Sequence, residues 1–174
     1  LTEHKALRAA HGRAVFAKAR KHGRAVAFEA SVGGGIPIVQ ALQVGLAANE
    51  ITSLAAIVNG TCNYILTKMT QEGLPYAIAL RQAQELGFAE ADPTLDVDGS
   101  DAAHKLAVLA QIAFGVTAKP GDIEKVGIDR VHPLDVSFAK ELGYTIKLPA
   151  EAGPDRNAVA LHVAPGTLYH PHML

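Results

Sequence analysis

The stretch from Ala83 to Lys105 holds the residues best suited to chemistry. It reads Ala83-Gln-Glu-Leu-Gly-Phe-Ala-Glu-Ala-Asp-Pro-Thr-Leu-Asp-Val-Asp-Gly-Ser-Asp-Ala-Ala-His-Lys105. Six acids stand between Glu85 and Asp101, and an almost wholly apolar run follows Lys105. If Ser100 to Phe114 is helical, Asp101 and Lys105 share a face, about 40° apart around the axis, with Val108 and Ile112 beside them. So apolar a helix is expected to be largely buried, and buried charges must be paired or neutralised. One reading is an ordinary Asp–Lys helix pair. The other is a lysine held in an enclosed acidic site, as general acid or substrate anchor.

So many aspartates also raise a calcium loop, which the spacing rejects. With Gly99 at the sixth position of an EF-hand, Thr94 falls at the first and Lys105 at the twelfth, where acids are required. A second chemical feature is the turn Val32-Gly-Gly-Gly-Ile-Pro37 beside Glu29. It matches neither G-x-G-x-x-G nor G-x-x-x-x-G-K-[ST]. It is either a tight turn that needs glycine or a set of exposed backbone groups able to hold a small ion or a phosphate. The histidines are scattered, and His170-Pro-His172 is a poor metal site. Cys62 has no paired histidine in its motif and reads as a small core residue.

The elements that would position these groups alternate between helix and strand. Helical spacing covers 3–11 and 13–22 on either side of Gly12, with Thr2 as a cap and Gly23 as a left-handed stop. A short strand is expected at Ala25–Ala30, then a helix from Ile36-Pro37 to about Ala48, then a buried strand over Ile51–Val58. Asn59-Gly60-Thr61 reads as turn and cap for a helix that ends at Gly73. A helix over Pro75–Leu86 closes at Gly87, and 88–99 is an acidic loop. Helices follow at Ser100–Phe114 and Pro133–Leu142. The strands Tyr144–Pro149 and Ala158–Ala164 flank a turn at Ala152–Arg156 as a hairpin. The pattern is an α+β or α/β layered domain, one sheet covered by helices.

Composition bounds the function classes. The 174 residues are 49% hydrophobic and 19% charged, enough for a core and unlike a disordered chain. Sixteen basic against 17 acidic residues give a net charge of -1, with no basic footprint for nucleic acid or anionic lipid. No apolar run has the length of a membrane span, and no signal-peptide pattern opens the chain. A single cysteine fits a reducing, intracellular compartment.

The acidic stretch resembles a known signature. Ala83-x-x-x-Gly87-Phe88-Ala89-x-x-Asp92-Pro93-x-x-Asp96-Val97-x-Gly99-x-Asp101-x-x-x-Lys105 is similar to that of homoserine dehydrogenase, without a mismatch. Three further segments resemble the same family: Phe28-Glu-Ala-Ser-Val-Gly-Gly-Gly-Ile-Pro-Ile38, Asn59-Gly-Thr-Cys-Asn-Tyr-Ile-Leu66 and Phe138-Ala-Lys-Glu-Leu-Gly-Tyr-Thr-Ile-Lys-Leu148. The resemblance runs through residues 1–149. Around Lys5 the chain reads Thr2-Glu3-His4-Lys5 where the family more often has Thr-Ala-Asn-Lys.

The resemblance implies an NAD- or NADP-dependent oxidoreductase that interconverts L-aspartate 4-semialdehyde and L-homoserine. It makes Lys105 the proton donor and Lys5 a second lysine near the reacting centre and the cofactor. Glu90 and Asp101 correspond to substrate-binding acids, with Asp96 a further acid of that cluster, and Gly87 to a backbone position close to the cofactor. A sodium ion is implied at Glu29, Val32, Gly34 and Ile36, which favours the small-ion reading of the glycine turn. The implied fold is α+β, a mixed sheet covered by helices, the substrate and dimerisation domain of a two-domain dehydrogenase whose Rossmann domain is largely missing. Residues 1–23 are then a remnant of the nucleotide-binding domain and 24–174 an incomplete catalytic and dimerisation domain, so the chain is expected to be an inactive interior fragment. A small amino-acid substrate, a cytoplasmic location and a homodimer or higher homo-oligomer complete the expectation. The rival is a noncatalytic dimerisation or binding module derived from the same family.

Overall fold

The computed structural model describes residues 5–156 and 158–169, with backbone alone for 5–10 and 13. The expected Thr2 cap, the Lys5 side chain and His170-Pro-His172 lie outside the described residues. The elements in order are α1 (Lys5–Lys21), α2 (Ile38–Gln40), β1 (Leu54–Ala56), α3 (Gly60–Glu72), α4 (Tyr76–Glu85), α5 (Thr94–Val97), α6 (Ser100–Phe114), β2 (Glu124–Lys125), α7 (Pro133–Glu141), β3 (Tyr144–Lys147), β4 (Ala150–Asp155), β5 (Ala158–Val163) and β6 (Gly166–Tyr169). The strands form two sheets, one in the order β1-β4-β5-β2 and the other the pair β3-β6. This is the mixed α and β architecture that the sequence pattern predicts, but the strands divide between two sheets where one was expected.

Several elements differ from that pattern, each for a local reason. Helix α1 runs unbroken through Gly12, because one interior glycine costs only about 1 kcal/mol. It stops at Gly23, whose φ of 60° lets Arg24 N donate back to Ala19 O at 2.9 Å. The strand expected at Ala25–Ala30 is absent, since no neighbour pairs with it among the described residues. Instead, Glu29–Ser31 is a 3₁₀ turn. The helix expected to reach Ala48 is one turn of α-helix followed by a π turn at Ala41–Gly45. The strand expected over Ile51–Val58 shrinks to Leu54–Ala56.

The hairpin also shifts. Ala152-Gly-Pro-Asp155 belongs to β4 rather than to a turn, and the chain enters β5 through Arg156 at a left-handed φ of 51°. Strand β3 pairs antiparallel with β6 instead, Tyr144 opposite Tyr169 and Lys147 opposite Gly166. Alternation of apolar and polar residues marks a strand but carries no information about its partner. The helices with clear caps keep their expected limits. Asn59 opens α3 and Gly73, at φ 67°, closes it. His132 opens α7 in a reciprocal capping box with Asp135, which gives that histidine a structural role.

The chain divides into two compact units. The first comprises Leu1–Leu54, Ala103–Glu124 and Glu151–Leu161. There the Phe16 and Phe28 rings meet edge to face at 5.5 Å, and Val32, Leu106, Val108 and Leu109 are buried. The second comprises Ala55–Ala102, Lys125–Ala150 and His162–Leu174. Its core includes Ile65, Leu66 and Met69 of α3, Ala79 and Ala83 of α4, and Ile128, Leu148 and Val163. Lys147, 5% exposed on β3, donates to Asn63 Oδ1 at 2.7 Å and Thr67 Oγ1 at 2.8 Å. This ties β3 to α3, and burial among neutral partners pushes the Lys147 ammonium below the ordinary lysine value.

In the second unit Gly127 sits where no side chain fits. A Cβ there would lie 2.4 Å from Val97 O and 2.8 Å from Asp98 Cα, both backbone atoms. The close approach lets Ile128 N donate to Val97 O at 2.8 Å, which holds the end of the acidic loop. Gly127→Ala is therefore expected to cost about 2–3 kcal/mol through forced backbone displacement. Gly121→Ala, with nothing within 4 Å of its new methyl group, should stay within about 0.5 kcal/mol of the parent in thermal unfolding.

Candidate active site

The acidic loop is held by the first turn of α3. Asn59 Oδ1 accepts from Cys62 N at 2.7 Å and caps the helix. Thr61 Oγ1 donates to Phe88 O at 2.7 Å, Cys62 Sγ to Asp96 O at 3.2 Å, and the Tyr64 and Phe88 rings lie 5.0 Å apart. Four side chains on one helical turn and a half thus grip the loop at both ends. Helix geometry explains the economy in part, since Thr61 and Tyr64, three residues apart, lie on one face of α3 and both reach Phe88.

The structure sorts the six acids by partner. Asp92 Oδ1 accepts from Thr94 N and Thr94 Oγ1, an Asx turn that opens α5. Asp98 caps α6 through Ser100 N at 2.7 Å and Ser100 Oγ at 2.8 Å, and takes Lys125 Nζ at 2.7 Å. Partial burial opposes the Asp98 charge, but the Lys125 and Ser100 bonds outweigh it and hold the carboxyl below the usual range. Glu85 and Glu90 are exposed. The Glu90 backbone carbonyl accepts from Gln84 Nε2 at 3.1 Å. Asp96 and Asp101 are the pair brought together, each bonded at 2.9 Å to Nδ2 of Asn59. Asp101 is 6% exposed, Asp96 half-buried.

Lys105 lies one turn beyond Asp101 on the same unbroken helix, half-buried, as the spacing predicts. Gly87 adopts φ 76° at an exposed turn, and nothing lies within 4 Å of where a Cβ would stand. Its left-handed backbone is why α4 stops there, and the open space leaves that turn free for a flat ligand group to approach. Asn59 is the residue of this cluster that sequence reasoning places only as a cap. Its amide nitrogen reaches acids 37 and 42 residues away, a relation no local pattern encodes.

The glycine turn has its own geometry. Gly33 and Gly35 take φ of 62° and 82°, which turns the chain back so that Glu29 reaches the start of α2. Glu29 Oε1 accepts from Val39 N at 2.7 Å and Oε2 from Gln40 N at 2.9 Å. The carboxylate therefore serves first as a helix cap. Ile36 O accepts from Ile38 N at 2.8 Å, and the Val32 and Gly34 carbonyls accept no backbone hydrogen bond among the described residues. No group of three or more His, Cys, Asp or Glu side chains able to hold a metal occurs among the described residues. Carbonyl oxygens with one carboxylate suit a hard, oxygen-seeking monovalent ion better than a metal that needs nitrogen or sulfur.

Cys62 is buried against this cluster, and burial first, then the Asp96, Asp101 and Asp98 charges, push its thiol up to about 12. A thiol in that state is protonated at neutral pH and a poor nucleophile. Native protein at pH 8 should alkylate with iodoacetamide far more slowly than the same protein in denaturant. Equal rates in the two states would contradict the buried placement.

Comparison with known proteins agrees with this geometry. A family model described as homoserine dehydrogenase matches residues 37–174. A homoserine dehydrogenase of Bacillus subtilis (strain 168) is 46% identical over 173 residues, covering 98% of this chain and 40% of the relative. The crystal structure of a homoserine dehydrogenase from Thiobacillus denitrificans superposes with a TM-score of 0.95 at 45% identity, over 99% of this chain and 40% of that one. A hyperthermophilic archaeal homoserine dehydrogenase in complex with NADPH gives a TM-score of 0.79 at 26% identity, over 98% and 48%. The chain thus spans about two fifths of the length of the Bacillus relative. No helix among the described residues is long and apolar enough to cross a membrane. With the family model matched across both the acidic loop and the lysine helix, the chain belongs to the homoserine dehydrogenase family.

Proposed function

We propose that the protein interconverts L-aspartate 4-semialdehyde and L-homoserine with NAD or NADP, a step towards threonine, isoleucine and methionine. The observation that carries this reading is the paired placement of Asp96 and Asp101 on one amide, with Lys105 a helical turn beyond Asp101. The substrate carries an ammonium at one end and a reacting carbonyl or hydroxyl at the other. The acids suit the first and the lysine the second.

Asp101, Asp96 and the exposed Glu90 bind the ammonium and so orient the four-carbon chain along α6. Lys105 then meets the oxygen, donating a proton as the aldehyde is reduced and accepting one as the alcohol is oxidised. The nicotinamide cofactor, when bound, supplies or takes the hydride. Gly87 is the turn against which it would lie, with Lys5 as the second lysine near it. The archaeal relative bound to NADPH supports a nicotinamide cofactor here. A sodium ion would be held by the Val32, Gly34 and Ile36 carbonyls and Glu29, where it would stiffen the glycine turn. In this reading residues 1–23 are the end of a nucleotide-binding domain and 24–174 the catalytic and dimerisation domain of a cytoplasmic homodimer.

In the product of the complete reading frame, Lys105→Ala should lower kcat by about 10²- to 10⁴-fold, with melting unchanged within a few degrees. Near-normal turnover in that variant would sink the assignment of Lys105 as proton donor, whereas a parent without turnover would leave the noncatalytic module. Asp101→Asn should raise KM for homoserine about tenfold or more, the scale of one charge-assisted hydrogen bond. The comparison is steady-state oxidation of homoserine, followed by nicotinamide absorbance in parent and variants.

A further inference from the structure

We infer that Asn59 is a positioning and specificity-determining residue, which holds Asp96 and Asp101 as a two-carboxylate cradle for the substrate ammonium. The inference rests on the reading above, and goes further by assigning the selectivity for an amino-acid substrate to a residue outside the acidic signature. Asn59 is 2% exposed, and its side-chain oxygen and amide nitrogen all have hydrogen-bond partners. Its orientation is not a choice between equivalent flips. Cys62 N is a donor, so the side-chain oxygen must face it, and the NH₂ group must face the two aspartates. One hydrogen goes to Asp96 Oδ1 and the other to Asp101 Oδ2, both at 2.9 Å.

Capping does not explain this residue. Serine, threonine or aspartate would cap α3 as well as asparagine does. None of them could also donate to two carboxylates from a single nitrogen, and aspartate would add a third negative charge to the pair. A lysine or arginine could bridge the two acids, but it would cancel the charge that an incoming ammonium needs. The neutral amide orients both carboxylates and brings no charge of its own to cancel theirs. Asp96 keeps a second oxygen that accepts no protein hydrogen bond among the described residues, which makes it available to a ligand donor. The cradle therefore fits a substrate with a primary ammonium and offers nothing to the same hydroxy acid without one.

The test compares parent and Asn59→Ser in the product of the complete reading frame. Asn59→Thr keeps the same capping oxygen and serves if the serine variant fails to fold. Three quantities are read: KM for homoserine, KM for the nicotinamide cofactor, and the inhibition constant of 4-hydroxybutanoate, which lacks the amino group. Loss of the cradle should raise KM for homoserine about tenfold, with the other two constants within about twofold of the parent. General damage to the site would instead weaken homoserine and 4-hydroxybutanoate alike. Parallel weakening, or an unchanged KM for homoserine, overturns the inference while the parent's turnover keeps the functional reading intact. A parent that does not oxidise homoserine overturns that reading, and the cradle with it.

Discussion

A helix that begins inside a protein exposes backbone N–H groups that must find acceptors, and α3 begins inside its unit. Asn59 meets that need with its oxygen and, in doing so, aims its nitrogen away from the helix at the acidic loop. The next residues repeat the pattern with other chemistry. Thr61 and Cys62 donate to loop carbonyls, and the Tyr64 ring packs at a tilt against Phe88. The loop has only one helical turn of its own, so its shape depends on these attachments. The position of Asp96 is in effect a property of α3. That helix is in turn anchored from behind by Lys147, whose two bonds to Asn63 and Thr67 tie it to β3.

The glycines of this region divide by physical cause. Gly87 and Gly99 are needed for φ of 76° and 84°, which other residues adopt only with strain. Gly127 is needed for space, since backbone atoms of Val97 and Asp98 occupy the place of a side chain. Gly87 and Gly99 stand in the resembled signature, whereas Gly127 stands outside it and is invisible to a local reading. Yet it pins the segment between Asp96 and α6 as firmly as either of the others. The same division holds for glutamates and aspartates. Local spacing revealed that the loop is acidic, but only the partners separate a turn-former such as Asp92 from a candidate ligand such as Asp96.

Helix ends were legible because capping is local chemistry. Asn59, Gly73 and Asp98 act within four residues of themselves, so the limits of α3 and the start of α6 follow from local sequence. Strands were less legible. A ladder depends on a partner that can lie anywhere in the chain, and β3 pairs with a segment some twenty residues on while the nearer candidate forms a different sheet. Glu29 shows the same limit at a candidate site. Its proximity to the glycine turn was evident, but its use as a cap for Val39 and Gln40 needs the turn to fold back, which two left-handed glycines accomplish. The family resemblance supplied roles for residues where spacing left alternatives open. It supplied none for Asn59.

Two aspartates of the loop, two residues apart in sequence, show why the choice of partner decides function. Asp98 is bonded to Lys125 and Ser100, so its charge is met by a cation and its geometry serves the start of α6. Asp96 is bonded to a neutral amide, so its geometry is set while its charge is not met by that partner. A salt bridge and an amide bond hold a carboxylate equally well in distance, 2.7 Å against 2.9 Å. They differ in what they leave for a third party. An ion pair has little further attraction for a cation, because the lysine already repels it at close range. A carboxylate held by an amide retains nearly its full field, and in a half-buried setting that field is less screened than it would be in water. Substituting Lys125 for Asn59 as the partner of Asp96 would keep the loop in place and extinguish the reason for placing it.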